Sequence, residues 1–279
     1  MRRVAIVVIS AAALLVMAGL AYAVNSYTTS YSISPNKAGT LKSAKPVRES
    51  KSFSVSETGG NRPLPIKGFS LGLGAGVIPH NKLFGGCSSS AAHSTPLPSS
   101  CKKSTVGSGS AVALIGPSSN RSAQYSSRCY VDLLLVNSTR KNHIFIRFDT
   151  RDTTSNPSFT CPFKRHEAID AAFTERARVA ARGKKGSTKL HSWAIRFSPP
   201  TDLQTTSGND VSVIQGSLTI NKRVTVRFVG KGTRRRKITN GFIDTVGCPK
   251  NPPGKRTVTD LFSDTSGANS SAAKNATCK

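Results

Sequence analysis

The sequence predicts an all-β protein: one antiparallel β-sandwich of jelly-roll or immunoglobulin-like type, with about ten to twelve strands and disulfide-stapled loops. Three observations lead there. Short apolar runs rich in β-branched and aromatic residues recur along the chain, bounded by Gly, Pro, Asn and Ser. Several of them alternate apolar with polar residues, the two-residue period of a half-buried strand. Six cysteines at 87, 101, 129, 161, 248 and 278 form an even set with no C-x-x-C pair, which suits disulfides better than a metal.

The amino-terminal segment stands apart. Arg2 and Arg3 precede a run without charge from Val4 to Leu20, and Ala21-Tyr22-Ala23 follows. A positive start, an apolar middle and a small-x-small site make a secretory signal peptide at 1–23. The alternative is a retained anchor, and the run is marginal against the ~20 residues a spanning helix needs. No other stretch is long and apolar enough to span as a helix, which makes 24–279 a single exported domain in expectation.

Within that domain, Tyr27, Thr29, Tyr31 and Ile33 share one side of a first strand. Segment 35–50 carries Lys, Pro and Gly and reads as an exposed loop; Phe53 and Val55 begin the next strand. Gly72-Leu-Gly74-Ala-Gly76 lacks the third glycine at the required spacing and the following helix of a dinucleotide site, so it reads as a small-residue face packed closely on a neighbour. Segment 80–106, rich in Ser, Pro and Gly and without apolar period, reads as a second exposed loop held by Cys87 and Cys101.

Ala111 to Ile115 is a buried strand. Around Cys129 to Asp149, two apolar runs, Tyr130–Val136 and Ile144–Phe148, flank a polar knot and predict a hairpin at the middle of the fold. His166 to Arg182 has the Ala, Glu and Arg content of a helix but alternates as a strand does, and the strand reading is preferred. Strands follow at 190–197, 211–220, 224–228, 242–246 and 258–262. For the cysteines, pairing of sequence neighbours is expected: Cys87 with Cys101, Cys129 with Cys161, Cys248 with Cys278.

Charge is the strongest compositional signal. The formal charge is +27, and removing Arg2 and Arg3 leaves 38 Lys and Arg against 13 Asp and Glu, or +25. Lys222, Arg223, Arg227, Lys231, Arg234, Arg235, Arg236 and Lys237 lie in sixteen residues without an acid, the densest part, between Gly230 and Ile238, at an expected hairpin tip. A second cluster holds Arg176, Arg178, Arg182, Lys184, Lys185 and Lys189. A charge this one-sided attracts polyanions. Export directs it toward anionic cell-wall or surface polymer, and the absence of aromatics between Lys231 and Ile238 argues against sequence-specific nucleic acid.

No catalytic motif stands out, and no cofactor or metal is implied. The alternative is an extracellular hydrolase of polysaccharide, which needs two carboxylates roughly 5 to 10 Å apart. Asp132, Asp149, Asp170, Asp244 and Asp260 are the acids available to it, and the five histidines show no spacing of their own. Asn120, Asn137, Asn269 and Asn275 begin Asn-x-Ser/Thr triplets, which matter in a host that glycosylates exported proteins.

The arrangement resembles uncharacterised secreted proteins of Gram-positive soil bacteria. The signal-like start, the Tyr27-to-Ile33 strand, the Lys37-Ala-Gly-Thr40 turn, the Gly107-Ser-Gly-Ser-Ala111 strand entry and Cys248-Pro249 with a late Cys278 carry the likeness. It implies an exported, disulfide-bearing β-sandwich and transfers no functional residue. The expectation is a secreted or envelope-associated, non-enzymatic protein that binds anionic polymer through basic hairpins.

Overall fold

The computed structural model describes residues 24–40, 42–150, 161, 166–182, 189–229 and 236–279. Segment 1–23 therefore lies outside the described residues. Among the described residues no helix is long and apolar enough to cross a membrane. In chain order the strands are β1 (Asn25–Ser34), β2 (Lys45–Pro46), β3 (Arg48–Glu57), β4 (Ile66–Gly72), β5 (Val77–Pro79) and β6 (Thr105–Pro117). They continue as β7 (Ser127–Asn137), β8 (His143–Thr150), β9 (His166–Ala180), β10 (Lys189–Phe197), β11 (Thr205–Thr206) and β12 (Asn209–Ile220). The last are β13 (Arg223–Val229), β14 (Arg236–Gly241), β15 (Ile243–Thr245), β16 (Lys255–Asp264) and β17 (Asn269–Thr277). Two short helices, α1 (Ser89–His93) and α2 (Ser99–Lys103), interrupt the pattern.

The chain is all-β and antiparallel, as expected, but the sandwich is not confirmed. Eleven strands follow a single path, β1-β3-β12-β6-β7-β8-β9-β10-β4-β16-β17, with β11 added beside β12. β17 then returns to lie against β1, so the sheet is a nearly closed barrel. β1 and β17 thereby cover each other's edge, which a sheet of this length would otherwise present to solvent.

The barrel is sealed differently along the β1–β17 seam. No ladder joins those two strands in the sheet path. Inward positions on β17 are small, with Ala272 and Ala276 buried, which lets β1 reach β16 directly. Tyr27 stacks on Phe262 with ring centroids 4.4 Å apart. Thr29 Oγ1 donates to Asp260 Oδ2 at 2.5 Å. Tyr31 packs with Val258 and Ala276. Side chains replace backbone hydrogen bonds at the seam.

The expected central hairpin is present as β7 and β8, paired from Val131 with Thr150 to Asn137 with Ile144. His166–Ala180 is a strand, pairing β8 on one side and β10 on the other. The close-packing reading of the glycine-rich stretch also holds: a Cβ on Gly74 would come 3.0 Å from the Tyr31 hydroxyl and 3.1 Å from Arg256 Cδ. The three disulfides join Cys87 to Cys101, Cys129 to Cys161 and Cys248 to Cys278.

Both expected loops hold more structure than the sequence suggested. In 35–50, Val47 and Glu49 are buried and β3 has already begun at Arg48. In 80–106, α1 and α2 carry Ala92 and Cys101 into a small core with Cys87, Leu97, Val136 and Phe145. The Ser88 side chain caps α1 by accepting from Ala91 N. Asn137 anchors the preceding segment, its Nδ2 donating to the carbonyls of Asn81, Phe84 and Gly85 at 3.0, 3.0 and 3.1 Å.

One end of the barrel is closed by the small sheet β2-β15-β5 and by Phe242 and Ile243, both fully buried. At the other end the loop between β10 and β12 folds over the lumen. Beneath it lies an apolar cavity of about 70 Å³, bordered by Phe53, Phe69, Ala111, Ala113, Val131 and Gly216.

Candidate functional site

The basic segment at 222–237 forms a hairpin, as expected. β13 and β14 pair with each other from Arg223 with Gly241 to Val229 with Arg236, and form a two-stranded sheet separate from the barrel. Its second strand lies beside the small sheet β2-β15-β5. Arg223 is exposed and Lys222 half-buried. Lys231, Arg234 and Arg235 lie outside the described residues, as do the side chains of Arg227, Arg236 and Lys237.

The second basic cluster is partly engaged. Arg176 is half-buried and its guanidinium donates to the Thr259 carbonyl. Arg178 Nε pairs with Glu175 Oε1 at 2.8 Å. Arg182 and Lys189 are exposed, and Lys184 and Lys185 lie outside the described residues.

The acids explain why the surface stays so basic. Glu49, Glu57, Asp210, Asp244, Asp260 and Asp264 are all buried, six of the thirteen acids in the chain. Among the described residues only four Lys or Arg are buried: Lys51, Arg62, Arg147 and Arg256. Most of these acids serve the backbone. Glu57 Oε2 accepts from the Gly59 and Asn61 amides in the turn after β3. Asp264 Oδ1 accepts from Ser266 N and Oγ in the turn after β16. Asp244 Oδ1 accepts from Gly241 N. Each acid so used is withdrawn from neutralising the exterior.

Inside the barrel, Lys51 and Asp260 form a buried pair with Nζ 2.5 Å from Oδ1. Asp260 also accepts from Gly72 N at 2.9 Å, and Lys51 donates to the Gly72 carbonyl. Burial pushes the Lys51 ammonium down, and Asp260 beside it pulls it back. Glu49 points inward on the same strand, two residues away. Neither of its oxygens has a hydrogen-bond partner, and burial raises its pKa to about 8. Arg256 reaches Gly247 O at 2.6 Å and Cys278 Sγ at 3.0 Å. These groups are enclosed; the sequence did not mark them, because Glu49 and Lys51 sit in a stretch as polar as any loop.

Of the five acids available to a hydrolase, the structure brings two together. Asp132 and Asp149 face each other across β7 and β8 on the outer surface. His166 is the next partner in that row, with Nδ1 2.5 Å from Asp149 Oδ1, and Arg147 Nε also holds Asp149 at 3.1 Å. Asp170 holds Arg140 and His143. Asp244 and Asp260 are buried elsewhere. His143, His166 and His191 each turn Nδ1 to a carboxylate, and none of the described hydrogen bonds joins their other nitrogen to a serine. None of the three described cavities is lined by an acid. Among the described residues no group of three His, Cys, Asp or Glu could hold a metal ion.

Asn120, Asn269 and Asn275 are exposed, but Asn137 is 1 % exposed and its amide nitrogen is fully used.

No protein-family model, no curated protein and no solved structure matches this chain.

Proposed function

We propose that this is a secreted or envelope-associated protein that binds anionic polymer through its basic surface, without catalysis. The observation that carries the reading is the asymmetry of burial. The fold encloses six carboxylates and only four described cations, so its exterior is more cationic than the composition alone implies. The β13–β14 hairpin, outside the barrel's ladder and carrying the densest run of cations in the sequence, is the contact element for an extended polymer. Three disulfides fit an oxidising, extracellular setting. There the available polyanions are wall and surface polymers.

The test uses immobilised poly(glycerol phosphate) and the folded, disulfide-bonded protein. Retention should fall steeply with salt, because each neutralised phosphate releases a counterion; for flexible chains the slope of log K against log salt is about −0.7 per contact. The triple variant R234E/R235E/R236E should lower affinity at least tenfold and flatten that slope by about two units. Unchanged retention of the variant, or retention indifferent to salt, rules the reading out. The Asp132–Asp149 pair favours the polysaccharide hydrolase as a second reading. Release of reducing ends from extracellular glycans that disappears in D149N would establish it.

A further inference from the structure

We propose that the upper lumen of the barrel is a binding site for the end of an unbranched alkyl chain. The argument begins with side-chain size. Interior positions of a closed barrel are normally filled by alternating large and small residues. Here Ala111 and Ala113 fall together on β6, with Ala111 directly paired to Gly216 of β12, whose inner face the Phe53 ring covers. The large side chains around them, Phe53 and Phe69 among these, leave an apolar cavity of about 70 Å³. Its walls offer almost no polar partner, so water gains little by entering, and cavities of this kind stay dry or take apolar guests. By the measure in which one water needs roughly 10 to 15 Å³, the space holds about five to seven water-sized groups, and a methylene is close to a water in volume.

The mouth is also built for a chain. Phe148, Phe197, Pro199, Leu203 and Val213 border the cavity and are half-buried, so apolar surface continues from the lumen toward solvent at one end. The loop carrying Pro199 and Leu203 is held in place over that end. Gln204, itself buried, donates from Nε2 to the Pro199 carbonyl at 2.6 Å, and its own carbonyl accepts from Val211 N at 2.8 Å. A sealed packing defect needs neither a half-exposed apolar rim nor a pinned cover. An alkyl chain fits both features, its terminal methyl in the lumen and its remainder passing the rim.

The probes are neutral 1-alkanols from butanol to decanol, which the cationic exterior does not attract, so this experiment is independent of polymer binding. Titration of the folded protein by calorimetry should show affinity rising about three- to fourfold per methylene, then levelling near six carbons, where the lumen is full. A113L fills the cavity and should abolish the chain-length dependence; A111V, a smaller change, should shorten the plateau. Xenon under pressure should appear in the lumen of the native protein and not of A113L. No chain-length dependence, the same dependence in a folded A113L, or entry of xenon without any alkanol binding would each overturn the proposal.

Discussion

Thr29 on β1 and Asp260 on β16 meet at 2.5 Å across the gap in the barrel's ladder, although β17, the end of the sheet path, comes between their strands where the barrel closes. The same carboxylate holds Lys51 and the Gly72 amide, so one acid ties β1, β3, β4 and β16 together. Breaking a buried ion pair by removing one partner leaves an uncompensated charge and costs about 3 to 5 kcal/mol. D260A should therefore lower stability by roughly that amount. The double variant K51M/D260A should lose less than the sum of the two single changes, because it strands no charge. Urea unfolding of the four proteins checks this, and additive losses would show that the two residues act separately.

Glu49 makes stability depend on pH in the direction opposite to a salt-bridged carboxylate. Its carboxyl is enclosed, without a hydrogen-bond partner, and its pKa is pushed up to about 8 by burial, with Lys51 and Arg256 pulling it back. In the unfolded chain it returns to 4.5. The folded state thus binds the proton more tightly. The contribution is fully present below pH ~4.5, declines as pH rises, and is lost above ~8, a fall on the order of a few kcal/mol. E49Q keeps the shape and removes the titration. Urea midpoints between pH 4.5 and 9 should fall less in E49Q than in the native protein, and the variant should be the more stable at pH 9. Parallel profiles would refute the assignment.

What the sequence made legible is what is local. The β7–β8 hairpin follows from two apolar runs around a polar knot. The disulfides join sequence neighbours, at separations of 14, 32 and 30 residues. The barrel was not legible, because its closure depends on non-local pairings that no turn announces. β12 inserts between β3 and β6, and β4 between β10 and β16. The interior charges were hidden for a different reason. On β3, Ser50, Ser52 and Ser54 face out while Glu49 and Lys51 face in, so both faces of the strand's first half are polar and alternation gives no signal. Asn137 opens the polar knot between the two runs, and only its three carbonyl partners reveal it as a structural post.

The Cys248–Cys278 bridge should matter more than its position near the chain end suggests. It closes a 30-residue separation, worth about 3.6 kcal/mol in the chain-entropy account, against about 3 kcal/mol for Cys87–Cys101. It also fixes the last residues against the barrel: Ala38 N donates to the Lys279 carbonyl at 2.8 Å, and Lys279 N donates to Asn36 O at 3.0 Å. Arg256, buried beside it, uses Cys278 Sγ as an acceptor. C248S/C278S should therefore lower the thermal midpoint further than C87S/C101S does. Equal midpoints for the two variants would mean that the terminal bridge constrains little.

Asn137 offers a test that separates structure from sequence pattern. Its triplet matches the glycosylation acceptor as well as those at Asn120, Asn269 and Asn275 do. Transfer of a glycan, however, needs an accessible amide nitrogen, and this one donates to three carbonyls in an enclosed site. Expressed in a host that glycosylates exported proteins, the folded chain should carry glycan at the exposed asparagines and none at Asn137, as read by mass spectrometry of tryptic peptides. N137A should cost about 1 to 3 kcal/mol, since two amide N–H groups shared among three carbonyls are lost and the Asn81 carbonyl among them is buried. The loss should fall on the segment around Asn81 to Gly85, where amide exchange should quicken while β7 and β8 stay protected. Occupancy of Asn137 by glycan in folded protein would show that the post is not formed.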